Sequence, residues 1–196
     1  MKNSKVKLFA FSSLLIMGFA CSQKTDDLQA KKIETDKSLM VEADSAAIAE
    51  AKKKAAAEEK AKLPKPYNDK ENAEAKIAEL VKMAKKENKN IMIQAGGNWC
   101  IWCLRFNNYV QTTPELKEII DQNYLYYHLN YSPENKNVKV FAKYGNPGEK
   151  FGYPVFIVLD KDGKQIHTQD SAVLEEGKGY SLEKVKEFFN AWKPKG

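Results

Sequence analysis

Two cysteines separated by two residues, Cys100 and Cys103, are the side chains of this 196-residue sequence best suited to chemistry. They lie in the segment WCIWCLRF, which is predicted to open a helix after the loop 96–98. A cysteine at a helix start lies beside backbone N–H groups without helical partners and near the positive end of the helix dipole. Both effects stabilise a thiolate, lowering the pKa of the first cysteine from ~8.5 into the range ~3.5–7.5. Such a thiolate attacks a disulfide, and the second thiol resolves the mixed disulfide.

Two other uses of the cysteine pair stay open on spacing alone. A zinc site needs four ligands, and beyond the pair and the N-terminal Cys21 the usual soft ligands are only His128 and His167. A purely structural disulfide across so short a loop would gain little chain entropy. Covalent haem attachment requires a histidine directly after the second cysteine, where Leu104 stands. The spacing therefore favours a redox pair, with a metal site and a structural disulfide as the alternatives.

The elements around the pair predict one compact α/β domain over residues 67–196. Apolar residues recur with a helical period over 73–88, which predicts a helix. The nearly continuous apolar run 91–95 predicts a central strand that is covered on both faces. Between the later elements, residues 132–152 are predicted to be loop, because Asn146-Pro147-Gly148 is typical of turns. The remaining predicted elements are strands at 124–130, 153–159 and 165–169 and helices at 113–120 and from Ser181 onward.

This order of elements around a Trp-Cys-x-x-Cys helix, with Tyr153-Pro154 before a later strand, resembles the thioredoxin superfamily over about residues 67–192. The segment GGNWCIWC is most similar to the lipid-anchored or periplasmic thioredoxin-like proteins of bacteria. The resemblance implies a thioredoxin-like fold with a central mixed sheet flanked by helices. It also implies a redox-active disulfide, with Cys100 as the nucleophile and Cys103 as the resolving thiol. Pro154 would be the cis-proline that faces the dithiol and turns the backbone of Tyr153 toward an extended substrate.

The sequence departs from the thioredoxin pattern behind the dithiol. Gln94 stands where thioredoxins commonly bury an acid, and an amide cannot act as a base. The separation between the dithiol and the proline is also longer, and residues 132–152 hold the excess. His128 and His167 lie in strand patterns and are expected to be structural, while Arg105 is expected to point to solvent.

Two tryptophans flank the dithiol and complete the predicted substrate-binding set with Tyr153 and Pro154. Trp102 lies between the cysteines, where it is expected to form an apolar docking surface for a protein substrate. Trp99 precedes the first cysteine and is expected to pack against the sheet with partial exposure.

The first 20 residues are predicted to be a signal peptide. Three lysines precede the apolar run Leu8–Ala20, which at about 13 residues is too short to cross a bilayer as a helix. The placement of Cys21 directly after small residues resembles the lipobox of bacterial lipoproteins, although Gly18 replaces the usual leucine. That resemblance implies cleavage before Cys21 and lipidation of its thiol; the alternative is a plain secretory signal. Residues 22–27 resemble the acidic surface-export signal of Bacteroidetes lipoproteins.

Residues 21–66 are predicted to be a charged tether that is helical or disordered. The 21 aromatic residues of the chain are absent between Ala20 and Tyr67, so this segment has little to bury. Residues 43–62 consist mainly of alanine, lysine and glutamate, which favour helix without forming an apolar face. The proline-containing segment 63–66 ends that helix.

The charge distribution argues against nucleic-acid binding. The formal charge is +6, but half of it comes from three lysines in the first 20 residues. The sequence therefore predicts a cell-envelope enzyme, a reductase or isomerase of protein disulfides, that is anchored by lipid at the outer membrane, on its periplasmic face or at the cell surface. It needs no cofactor, because the electrons reside in the sulfurs, but it needs a redox partner. The alternatives are an envelope carrier of copper or zinc on the same fold and a non-catalytic adaptor.

Overall fold

The computed structural model of the chain describes residues 47–195, so the predicted signal peptide, Cys21 and most of the predicted tether lie outside it. The chain divides into two units, residues 1–52 and 53–196. Residues 47–62 are helical (α1). Over the described range, each helix is too short or too polar to cross a bilayer.

A four-stranded mixed sheet forms the centre of the second unit, in the order β2-β1-β3-β4. Strand β1 pairs in parallel with β2 and antiparallel with β3, and β3 pairs antiparallel with β4. Every residue of the two central strands, β1 and β3, is buried. The strands are β1 (Asn90–Gly96), β2 (Tyr124–Asn130), β3 (Val155–Leu159) and β4 (Gln165–Asp170). This confirms the predicted central mixed sheet.

Helices cover both faces of the sheet. Alternate residues of a strand point to opposite sides, so the apolar side chains of the central strands need cover on both faces. Ile91 and Ile93 of β1 pack with buried residues of α2, whereas Met92 packs with α3, α4 and α7. Phe106 of α3 is fully buried on the second face. The helices that follow α1 are α2 (Ala73–Glu87), α3 (Ile101–Thr112), α4 (Pro114–Asn123), α5 (Val138–Lys143), α6 (Pro147–Phe151) and α7 (Leu182–Ala191).

The prediction of loop over residues 132–152 is wrong, because this segment contains α5 and α6. Phe141 and Tyr144 are buried in the core on the α2 side and hold the segment against the sheet. Helices of five and six residues are too short to show a hydrophobic period, and Pro147 at the first turn of α6 fits a helix start as well as a turn. A hairpin of two-residue strands, β5 (Glu175–Glu176) and β6 (Gly179–Tyr180), also lacked a sequence pattern.

Candidate functional site: a disulfide at the start of α3

Cys100 and Cys103 are joined by a disulfide at the N-terminus of α3, with their Cα atoms 5.3 Å apart. Cys100 is the N-cap residue of that helix, and its Sγ accepts a hydrogen bond from the backbone N–H of Cys103 at 3.1 Å. Cys100 keeps 7% of its surface exposed, while Cys103 is fully buried. Cys100 is therefore the more accessible cysteine of the pair.

The surroundings of Cys100 favour a negative charge on its reduced sulfur. The first turn of α3 contains no acidic residue, and the N-cap position places the sulfur at the positive end of the helix. Lys60 of α1 adds a positive charge nearby, because its Nζ lies 3.4 Å from the backbone oxygen of Trp99. Lys60 is 39 residues away from Trp99 in sequence, so the sequence pattern around the cysteines carried no sign of it.

The Tyr153–Pro154 peptide bond is cis, as the resemblance implied, and Pro154 is buried. The backbone oxygen of Tyr153 lies 3.5 Å from Cys100 Sγ, so this backbone faces the reachable sulfur of the disulfide. The ring of Tyr153 stacks on Tyr131 at 5.2 Å and meets Trp99 edge-on at 5.7 Å. The role of these residues in substrate binding stays a prediction.

The two tryptophans differ in exposure. Trp99 is 47% exposed, and its Nε1–H donates to the backbone oxygen of Tyr131 at 2.6 Å. Trp102 is only partly exposed, because one side meets Tyr180 edge-on at 5.7 Å and the guanidinium of Arg105 lies 5.0 Å from the ring centroid. Trp99 therefore presents more apolar surface beside Cys100 than Trp102 does.

The expectation that Arg105 points to solvent is wrong. Its Nε and Nη2 donate to the two carboxylate oxygens of Glu59 at 2.7 and 2.6 Å, and its side chain is 18% exposed. These hydrogen bonds lower the pKa of Glu59 and raise the pKa of Arg105. Glu59 lies in α1, which the sequence analysis treated as a solvated tether, so its partner on α3 was not foreseen. The domain boundary at residue 67 stays a prediction.

Gln94 lies behind the dithiol and connects four parts of the domain. Its Nε2 donates to Tyr67 Oη and to the backbone oxygen of Cys103, both at 2.8 Å, and its Oε1 accepts from Tyr126 Oη at 2.6 Å. Burial raises the pKa of Tyr67 and of Tyr126 well above the usual 10, so both phenols stay protonated. The position of the common thioredoxin acid is thus filled by an amide with both ends hydrogen-bonded.

The two histidines have different surroundings. The ring of His128 on β2 lies 5.2 Å from that of Tyr67, and its buried Nε2 has no hydrogen-bond partner among the described residues. Burial lowers the pKa of His128 to about 4. His167 on β4 stacks on Trp192 at 4.1 Å. Within residues 47–195, His, Cys, Asp and Glu side chains form no group of three or more that could hold a metal ion.

A small cavity of about 70 Å³ opens beside Tyr153. The segment that contains α5 and α6 supplies most of its lining, including the 66% exposed Val138 and the carboxylate of Glu149. The remaining lining residues are Tyr131, Phe141, Asn146 and Gly148. The insertion that was predicted as loop therefore shapes the surface next to the dithiol.

The mixed sheet, its flanking helices and the cis-proline opposite the disulfide at the start of α3 make up a thioredoxin-like fold. Residues 72–161 match a protein-family model described as thioredoxin-like. The fold is shared with a disulphide isomerase from Xylella fastidiosa Temecula1, at 21% identity and a TM-score of 0.58, over 66% of this chain and 97% of that one. The oxidised C-terminal domain of DsbD from Neisseria meningitidis is similar at 18% identity and a TM-score of 0.45, over 62% and 97%. None of the curated proteins compared with the chain matches it.

Proposed function

We propose that the protein is a thiol–disulfide oxidoreductase of the cell envelope that reduces or isomerises protein disulfides. The observation that carries the proposal is the asymmetric cysteine pair at the N-terminus of α3. One sulfur, that of Cys100, is reachable and faces the backbone of Tyr153, while the other is fully buried. This arrangement suits thiol–disulfide exchange, because one thiol must attack the substrate disulfide. The second thiol needs to reach only the sulfur of the first cysteine.

The exchange begins with the reduced Cys100, whose thiolate attacks one sulfur of a substrate disulfide. A bond forms between Cys100 and that sulfur, and the electron pair of the broken bond leaves on the other substrate sulfur as a thiolate. The Cys103 thiolate then attacks the Cys100 sulfur, which re-forms the observed disulfide and releases the second substrate thiolate. Two electrons have then passed to the substrate, so a dithiol partner must reduce the pair before the next turnover.

Isomerisation uses the same first step without net electron transfer. The substrate thiolate released by Cys100 attacks another disulfide of its own chain, and a substrate thiolate later displaces Cys100 from the mixed disulfide. Both reactions require a surface that holds a protein chain beside Cys100. The exposed face of Trp99 and the aromatic surface around Tyr153 support such binding, because exposed aromatic rings contribute strongly to protein contacts.

The place of action in the envelope is part of the proposal. Its support is the N-terminal sequence, in which a short apolar run is followed directly by Cys21. A lipidated Cys21 and the charged segment 22–66 would hold the domain at the outer membrane, facing the periplasm or the cell surface.

The function is tested by insulin reduction with the full chain, using a small dithiol to recycle the protein. We expect Cys100→Ser to abolish the reaction. In a parallel incubation of pre-reduced protein without the small dithiol, we expect Cys103→Ser to accumulate a mixed disulfide with insulin that non-reducing electrophoresis detects. Cys21→Ser is the matched control, because it makes the same substitution outside the described domain. We expect it to reduce insulin at the wild-type rate. A Cys103→Ser protein that forms no mixed disulfide, together with a wild type that reduces no insulin but unfolds more easily once reduced, would show that the pair is only structural.

A further inference from the structure

The side chain of Tyr67 borders the same space as the buried sulfur of the dithiol. A methyl group placed on Gly96 would lie 2.5 Å from Cys103 Sγ and 3.0 Å from Tyr67 Oη. The Cys103 sulfur and the Tyr67 phenol oxygen therefore both border the space that a side chain at position 96 would fill. Tyr67 is 4% exposed and forms a small buried cluster with the two cysteines.

The hydrogen bonds of Gln94 determine which way the Tyr67 hydroxyl proton can point. Gln94 Oε1 accepts from Tyr126, so its Nε2 is the end that donates to the backbone oxygen of Cys103 and to Tyr67 Oη. The phenol oxygen is thus an acceptor toward Gln94, and its own O–H remains to be donated elsewhere. Within residues 47–195 that O–H has no hydrogen-bond acceptor in the oxidised state, and a buried donor without an acceptor is unfavourable.

We propose that Tyr67 is a positioning residue that donates its O–H to the Cys103 sulfur in the reduced and mixed-disulfide states and thereby stabilises the Cys103 thiolate. The inference rests on the proposed function, in which Cys103 attacks the mixed disulfide, and it identifies Tyr67 as the residue that assists this attack. In that step Cys103 releases its proton to solvent water and its thiolate attacks the Cys100 sulfur. The Cys100–Cys103 bond forms, the bond to the substrate breaks, and the substrate sulfur leaves with the electron pair. Tyr67 keeps its proton throughout.

The charges around this space agree with a neutral donor. Burial raises the pKa of Tyr67 well above 10, so it remains a donor wherever the protein functions. The other titratable groups on the elements packed here are Cys100 of α3, Tyr126 and His128 of β2, Tyr153 before β3 and Tyr180 of β6. The pKa of His128 is about 4, which leaves it neutral at pH 7. Two cations lie on the Cys100 side and on α3: Lys60 approaches the Trp99 backbone oxygen, and Arg105 is paired with Glu59.

The test is a titration of the reduced full chain by NMR, following the ¹³Cβ shift of labelled cysteine. The three cysteine signals are assigned with single serine variants. We expect Tyr67→Phe to raise the midpoint of the Cys103 titration by about one pH unit, the effect of losing one hydrogen bond to a charged sulfur. Tyr124→Phe is the matched control: it removes a phenol that donates to the Phe189 backbone oxygen at 2.6 Å, away from the dithiol, and should leave the midpoint unchanged.

The resolving step is measured separately from the midpoint. A mixed disulfide between Cys100 and thionitrobenzoate releases the coloured thiolate when Cys103 attacks. A rise of about one pH unit lowers the thiolate fraction roughly tenfold at pH 7, but a more basic thiolate is roughly threefold more nucleophilic, so release should slow by roughly threefold. The slowing should disappear above both midpoints. An unchanged midpoint and an unchanged release rate in a folded Tyr67→Phe protein would overturn the proposal.

A second variant keeps the proposal testable if Tyr67→Phe fails to fold. Placing 3-fluorotyrosine at position 67 preserves the packing and makes the phenol a stronger donor, so the Cys103 midpoint should fall. A midpoint that stays at the wild-type value would contradict the hydrogen bond. Failure of the proposed function is distinguishable, because it would appear as a wild-type protein that reduces no substrate disulfide, whereas the NMR midpoint needs no substrate.

Discussion

At the residue scale, the two cysteines of the pair have different surroundings. Cys100 caps α3 and retains access to solvent, while Cys103 is covered by Tyr67 and the backbone of Gly96. The N–H of Cys103 that donates to Cys100 Sγ also favours charge on the first sulfur rather than the second. The buried sulfur therefore depends on other donors, and Tyr67 is the group placed to supply one.

His128 gives the free energy of unfolding a defined pH dependence. Its pKa is about 4 in the folded protein and 6.5 as the reference value, so between these pH values the unfolded chain binds a proton that the folded chain does not. The stability that this residue supports is complete above pH 6.5 and is lost as the pH falls toward 4. Between pH 7 and pH 4.5 the free energy of unfolding should fall in both proteins, but by about 2 kcal/mol less in His128→Gln than in the wild type. Urea unfolding at the two pH values measures this difference.

The control for this prediction is His167→Gln, which removes the other histidine of the chain from its stacked position on Trp192. Comparing the pH dependence of the two variants shows how far the change is specific to His128. Identical pH curves for the wild type and His128→Gln would mean that His128 protonates equally in the folded and unfolded states.

At the element scale, the end of α1 contacts the helix that carries the dithiol. The Glu59–Arg105 pair joins α1 to α3, and Arg105 in turn covers one side of Trp102. Glu59 remains 42% exposed, so solvent weakens the pair and its stabilisation is modest. The pair is therefore expected to hold the segment against the domain without contributing much to the stability of the sheet.

Removing the charge of Glu59 should loosen this segment. If the pair contributes about 0.5–1 kcal/mol, Glu59→Gln should speed tryptic cleavage within residues 53–66 roughly two- to fivefold through local opening. The melting temperature of the domain should change little, because its core contacts remain. Glu58→Gln, at an exposed neighbouring position, is the matched control and should be cleaved at the wild-type rate. Equal cleavage of both variants would show that the ion pair does not hold α1.

At the scale of the whole molecule, the predicted lipid anchor and the cysteine pair lie in different parts of the chain. The described domain contains the complete cysteine pair and the aromatic surface beside it. The predicted lipid site lies far upstream, at Cys21. Membrane association and disulfide chemistry are therefore expected to respond to different substitutions.

Cys21→Ser is expected to move the protein from the membrane fraction to the soluble fraction of lysed cells. The reason is that stable anchoring requires two or more acyl chains, each contributing ~0.8 kcal/mol per buried CH₂. Fractionation followed by immunoblotting measures the change, with Ser22→Ala as the control that should remain membrane-bound. Membrane association that persists in Cys21→Ser would mean that the signal is not a lipobox.

The strands and longer helices were predictable because burial leaves a local pattern. The apolar run 91–95 marked the central strand β1, and the aromatic segment 124–130 marked β2. The helical period over 73–88 marked α2 in the same way. The short helices α5 and α6 were not predictable, since five or six residues are too few to show a period and their burial comes from distant core residues.

The sequence by itself determined that two sulfurs lie on one helical turn, because Cys100 and Cys103 are three positions apart at a helix start. Tertiary structure decided which groups surround that pair. Tyr67 is 27 residues away in sequence from its partner Gln94. Glu59 is 46 residues away from its partner Arg105. Contacts at such separations depend on how the end of α1 meets α3 and how the segment before α2 meets β1. No local pattern of residue types encodes that packing.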